Sequence, residues 1–239
     1  MTLVLNQTME GAEDTLGTLF AASGSGEESP TYALCEMGTT SPYEGSQYLR
    51  WLSVLGSSNG VRIAGIAHIL SAPSTNLYIR GHVWFEGYVA VKPGYENFNY
   101  NQGCLGIWKS GGVHSFDNTV GFALGMPKAS DHRIFIGRAG GAGYIEVRAN
   151  GPEVSLGQWY QIDVHVNNTA TTLHLDGVLA ATYNGDLLVK SDIAAVWTGL
   201  TVGKGSTGPQ PVRFDHLQAS DVPFVDAPLP SLAFKVVLS

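Results

Sequence analysis

From Leu77 to Val91 the chain reads LYIRGHVWFEGYVAV, and neighbouring residues alternate in kind. Leu77, Ile79, Gly81, Val83, Phe85, Gly87 and Val89 are apolar or small. Between them, Tyr78, Arg80, His82, Trp84, Glu86 and Tyr88 carry aromatic rings, charges and an imidazole. Successive side chains of a strand point to opposite faces, so one face of this segment packs into a core. The other face is set aside for something else.

The same period of two recurs along the chain. In QWYQIDVHVN, Tyr160, Ile162, Val164 and Val166 form one face, and Gln161, Asp163, His165 and Asn167 the other. Leu173 and Leu175 then alternate with Thr172, His174 and Asp176. Asp176-Gly177 predicts a tight hairpin turn before VLAATYN runs back. SPYEGSQYLRWLSVL predicts a turn and a strand with Tyr48, Arg50 and Leu52 on alternate positions. GVRIAGIAHIL, NTVGFALGM, HRIFIGRAG, AGYIEVRAN, LTVGK and VRFDHLQAS continue the series, with turn chemistry at Asn150-Gly151-Pro152 and Asn184-Gly185. GRAGGAGY reads as a hairpin turn between two of these strands. No window sustains the helical period. The expectation is an all-β fold: an antiparallel two-sheet jelly-roll sandwich of about a dozen strands with little helix.

Two stretches break the pattern. VKPGYENFNYNQGC, 91–104, reads as a long loop rich in Tyr and Asn, the composition of adaptable binding loops. It places Tyr95, Tyr100 and Gln102 beside the outward face of 77–91 as ligand-binding candidates, with Tyr78, Arg80, His82, Trp84, Glu86 and Tyr88. An alternative is a central strand buried on both faces, one under the other sheet and one under the 91–104 loop, with Arg80 and Glu86 paired within it. The second stretch is DVPFVDAPLPSLAFKVVLS, 221–239. Its prolines keep it extended, and Phe224, Leu229, Leu232, Phe234, Val236 and Leu238 make it too apolar to hang in water. It is expected to add a strand to its own domain or to a neighbour's. The division is therefore a jelly-roll domain over 1–220 and an apolar assembly arm over 221–239.

The hairpin carries a family resemblance. Trp159-Tyr160 opening a strand, followed by Leu173-His174-Leu175-Asp176-Gly177-Val178, resembles the hairpin of concanavalin A-like jelly rolls, the lectin, glucanase and laminin G-like folds. SPYEGSQYLRW and PVRFDHLQAS fit the same order, and the resemblance places Val212 and Phe214 inward with Asp215 beside them. It spans roughly residues 10 to 220 and speaks to fold, since the fold hosts many functions.

Composition narrows the partners. Thirteen basic against twenty acidic residues give a formal charge of −7, with no basic stripe for nucleic acid. No apolar run approaches the roughly 20 residues that span a membrane. Cys35 and Cys104 have no metal-ligand spacing and read as buried thiols. The N-terminus has no signal-peptide pattern, so synthesis in a cytoplasm is expected and the Asn6 and Asn167 sequons read as chance.

Chemistry is thin. Glycan hydrolases on this fold carry two carboxylates on one strand face, and no such run is present. A polysaccharide lyase acting on uronates would need a Tyr or His to move a proton and Arg, Gln or Asn to neutralise a carboxylate. Arg80, His82, Tyr100 and Gln102 offer those types, but the Arg-Ser-Glu-Leu-Arg and Gln-Ile-His strands of alginate lyases are missing. The histidines form no ligand cluster. Asp117 and Asn118 fall at a predicted rim turn where laminin G-like domains can hold calcium, though a plain Asx turn is the favoured account of them. No other cofactor is expected. The aromatic face suits sugar-ring stacking or a protein interface.

The reading reached is a non-catalytic structural and binding module with glycan-binding capacity. A glycan-recognition fold without an export signal resembles bacteriophage virion proteins, head decorations or tail components, and implies a homo-oligomer displayed on the outside of a virion through its arm. The alternatives are a free-standing lectin and the uronate lyase.

Overall fold

In the computed structural model the described residues are 3–10, 18–23, 34–53, 62–87, 100–109, 119–126, 132–140, 144–187, 192–202 and 211–225. They form strands and connecting turns, with no helix among them. Among the described residues fifteen strands follow in order: β1 (Leu3–Gln7), β2 (Thr18–Ser23), β3 (Leu34–Gly38), β4 (Tyr48–Ser53), β5 (Arg62–Ser74), β6 (Asn76–Phe85), β7 (Tyr100–Lys109) and β8 (Thr119–Met126). Then come β9 (Arg133–Gly140), β10 (Tyr144–Glu153), β11 (Trp159–Asn167), β12 (Ala170–Leu175), β13 (Val178–Asn184), β14 (Ile193–Val202) and β15 (Val212–Ser220).

They build two antiparallel sheets. The first has the order β13-β12-β11-β6-β15-β4-β3, with β1 also paired to β15; the second runs β10-β9-β8-β7-β14-β5-β2. The inward residues of β6 and β11, Leu77, Ile79, Val83 and Phe85 with Ile162 and Val164, are buried in the core between the sheets. Burial alternates strictly along β11, as its period-two sequence requires. This is the all-β sandwich expected. The Asp176-Gly177 turn forms with both residues at positive φ (50° and 78°), which gives the primed geometry that matches strand twist. Asn167 is spent on the preceding turn, where its Oδ1 accepts from the Thr169 and Ala170 amides and the Thr169 hydroxyl.

One strand changes partners halfway. β15 pairs with β4 through Val212–Phe214 and with β1 through Leu217–Ser220. Between the two partners lies a bulge at Asp215–His216, with His216 at φ 48°. Asp215, next to inward Phe214, takes the outer face opposite His82, and the bulge after it returns Leu217 and Ala219 to the core beside Val212 and Phe214.

Several expectations are corrected. β1, β2 and β3 lie in the N-terminal stretch, which does not stand out by alternation. Residues 100–104, read as the end of a loop, begin β7. Tyr100 and Gln102 therefore stand on the second sheet, while β6 is in the first. Tyr88, Tyr95, Asp117, Asn118, the side chains of Cys35 and Cys104, and Leu229, Leu232, Phe234, Val236 and Leu238 lie outside the described residues and side chains.

Candidate functional site on the outer face of the first sheet

β6 lies between β11 and β15, so its outward residues stand at the middle of a grid fixed by strand register. One rung runs Arg50–Arg213–Trp84–Trp159. The next is Asp215–His82–Gln161. Below it come Gln218–Arg80–Asp163–His174, then Ser220–Tyr78–His165–Thr172.

The rung at Trp84 is a closed lattice. Glu86 takes both guanidinium edges: Arg50 donates to it at 2.9 and 2.7 Å and Arg213 at 2.6 Å. Arg50 also reaches Glu36 at 2.7 Å. Arg213 is sandwiched between the rings of Tyr48 (4.7 Å) and Trp84 (4.9 Å), and Trp159 meets Trp84 edge-on at 5.7 Å. Burial pushes the Glu86 carboxyl up, but hydrogen bonds from Arg50 and Arg213 outweigh it and hold the acid below its usual range. Arg80 and Glu86 are thus each paired, though not with each other.

A strap, residues 39–47, crosses the rung at His82. Acidic side chains from below pin it. Asp215 Oδ2 accepts from the amides of Tyr43 (2.9 Å) and Glu44 (3.1 Å). Glu10 accepts from Ser46 N (2.7 Å), Ser46 Oγ (2.6 Å) and Gln47 N (3.0 Å). Trp159 Nε1 donates to Ser41 O and Arg213 Nη1 to Thr40 O. His216 Nδ1 lies 2.5 Å from Glu44 Oε2. The ring of Tyr43 then lies on His82, centroids 3.5 Å apart. His82 is 3% exposed, with Gln161 as its neighbour on β11. Burial pushes its pKa down to about 4 and that of Asp215 up to about 6.

The rungs at Arg80 and Tyr78 stay open. There the face hollows into a cavity of about 280 Å³. Its floor is the Arg80–Asp163 pair, where Nε meets Oδ1 at 2.5 Å and Nη2 meets Oδ2 at 3.0 Å, with Gln161 Nε2 also donating to Asp163. Tyr78 and His165 stack at 4.1 Å, nearly parallel, and Asn76 Oδ1 lies 2.8 Å from His165 Nε2. Thr172 and His174 form the side toward β13, and Pro223 and Phe224 the side toward β15. Phe224, read from the sequence as part of an arm, packs in cis with its ring 4.8 Å from the Arg80 guanidinium carbon.

This face therefore gathers Tyr78, Arg80, His82, Trp84 and Glu86 but gives them separate surroundings. Tyr78 and Arg80 line the cavity, His82 lies beneath the strap, and Trp84 and Glu86 belong to the lattice. Sequence reasoning missed Asp163, His165, Thr172 and His174 as site residues, although their outward parity was readable. Pairing of β11 with β6 puts Asp163 and His165 opposite Arg80 and Tyr78, and pairing of β12 with β11 adds His174 and Thr172 beyond them. Among the described residues, no three His, Cys, Asp or Glu side chains gather as a metal set.

Solved structures share this architecture. A cellulose-induced protein superposes with a TM-score of 0.58 at 12% identity, over 91% of this chain and 97% of that one. A carbohydrate esterase of the Shiga toxin-encoding bacteriophage phi24B does so at 0.58 and 15%, over 91% and 97%. A protein with a galectin-like fold from Bacillus subtilis gives 0.52 at 6%, over 92% and 96%. The likeness is one of fold. No family model matches the chain, and no curated protein matches it in sequence.

Proposed function

We propose that this chain is a non-catalytic glycan-binding β-sandwich of concanavalin A-like type, and that its site is the open cavity at Tyr78, Arg80, Asp163, His165, Thr172 and His174. The observation that carries the reading is the composition of that cavity: flat rings beside a rigid, hydrogen-bonded polar floor. Sugars present apolar ring faces and directional hydroxyls, and such a surface meets both. Because Asp163 occupies the Nε and Nη2 edge of Arg80, the floor offers a neutral fork rather than an open cation. That favours hydroxyl recognition over the uronate lyase, which needs a cation for the carboxylate and a reachable base. His82, the base candidate, lies beneath Tyr43.

The proposal extends to assembly. Residues beyond Val225, with Leu229, Leu232, Phe234, Val236 and Leu238, would join copies of the chain or fix it to the outside of a virus-like particle. Light scattering on the full chain and on a chain ending at Val225 tests it: loss of oligomers on truncation is expected, and equal monomers would reject it.

The binding reading is tested on a glycan array with the full chain and with His174→Ala. Retention of at least one glycan class is expected, weakened about tenfold or more in the variant. An array with no retained glycan, or a variant that binds as well as the parent, would reject it.

A further inference from the structure

The cavity is bounded in a way that limits what can enter it. Along the strand direction of β6 and β11, the face is open at the Tyr78 and Arg80 rungs and closed at the next. There Tyr43 lies on His82, and hydrogen bonds to Asp215, Glu10, Trp159 and Arg213 fix the strap that carries it. Across the strands, the face is open from β12 to β6 and then meets Phe224. The segment after β15 curls back over the sheet there, with Val222 N donating to Ser220 Oγ and the Phe224 ring above Arg80. A straight chain laid along either axis of the grid runs into a wall. Phe224 lies over Arg80 and Tyr43 over His82, the next outward residue of β6, so Arg80 is the corner of the open face.

The size agrees with this. A cavity of about 280 Å³ sits just under the usual range for small-ligand sites, about 300–1,000 Å³. It suits one ring and part of a second. The polar groups at the corner also suit a terminus, because a terminal ring keeps a hydroxyl that an internal ring has spent in its glycosidic bond.

We propose that the site takes the terminal sugar of a glycan and excludes the interior of a running chain, with Tyr43 and Phe224 as the two walls that set this specificity. This rests on the glycan-binding reading and adds to it which part of the glycan is read.

The test uses the full chain and the array ligand that binds best. Its probes are the methyl glycoside of that ligand's terminal sugar and oligosaccharides of two to six units ending in the same sugar. Expected are competition by the methyl glycoside and affinities that stay within about threefold from the shortest oligomer to the longest. Trimming the terminal sugar with an exoglycosidase should abolish binding. Affinity that climbs more than about tenfold with length, with no competition by the methyl glycoside, would overturn end recognition and leave glycan binding standing. If no array glycan binds at all, the glycan reading itself falls, and this inference with it. Phe224→Ala removes one wall without touching a strand. In that variant the six-unit oligomer should gain on the methyl glycoside by about threefold or more, and an unchanged ratio would overturn the role given to Phe224.

Discussion

The ring of Tyr43 covers the imidazole of His82 at a centroid distance of 3.5 Å, with 14° between the planes. Tyr43 is itself 46% exposed, so one residue of the strap separates the buried histidine from solvent. Tyr43→Ala should remove the stacking at a cost of about 1 kcal/mol and let water reach His82. With burial relieved, the His82 pKa should climb from about 4 toward its ordinary 6.5. An NMR titration of the imidazole reads this directly. A His82 that titrates as in the parent would show that the cover lies elsewhere.

His82 and Asp215 face each other across β6 and β15 with opposite shifts. Burial takes His82 down from 6.5 to about 4, so the fold prefers the neutral ring. Its contribution is full above pH 6.5 and is lost as pH falls toward 4. Burial takes Asp215 up from 3.8 to about 6, against the pull of the Glu44 and Tyr43 amides. The fold therefore prefers the protonated acid, and that contribution is full below pH 3.8 and lost as pH rises through about 6. The two windows overlap with opposing slopes, and the pair largely cancels between them. Asp215→Asn should uncover the histidine, giving a Tm that falls relative to the parent as pH drops from 6.5 to 4. Parallel Tm–pH curves for parent and variant would contradict the pairing.

The lattice at Trp84 separates a deep acid from a shallow one. Glu86 is 16% exposed and holds two arginines, whereas Glu36 is 47% exposed and touches one. Glu86→Gln should cost on the order of 3 kcal/mol, because both guanidinium groups lose their shared anion. Glu36→Gln should cost less than about 1 kcal/mol, as exposed pairs do. Chemical denaturation of the two variants gives the comparison, and equal losses would count against the lattice as a buried unit. Glu86 sits below its ordinary 4.5, so its contribution is present above that pH and disappears as pH falls further.

Glycines on the two sheets differ in what stands over them. A side chain at Gly106 would meet the ring of Trp197, its cross-strand neighbour, whereas one at Gly81 would find Leu217 at 3.5 Å. Gly106→Ala should therefore cost about 1–3 kcal/mol through overpacking, and Gly81→Ala far less. Thermal unfolding of both variants checks the order.

The strands were legible wherever one face is buried and the other is wet. β11, β12 and the Asp176-Gly177 turn follow directly from alternation and turn chemistry, and the inward places of Val212 and Phe214 from the resemblance. β1, β2 and β3 were not, because short strands at the sheet edges carry too few alternating positions to stand out. Half of the candidate site was legible, since Tyr78 and Arg80 declare themselves as outward residues of an aromatic strand. The other half depends on pairing. Nothing in the spacing of Asp163 or His174 says that β11 lies beside β6 and β12 beside β11, and the strap at 39–47 was not read as a cover for the face. That strap is held by Glu10 and Asp215, whose distance in sequence from Tyr43 hides the contact.

Imidazole NMR during titration with the strongest array ligand locates the site most directly. The resonances of His165 and His174 should move with ligand while that of His82 stays fixed beneath Tyr43. Movement of His82 together with the Trp84 and Trp159 indoles, with His165 and His174 unmoved, would contradict the assignment of the open cavity as the binding site.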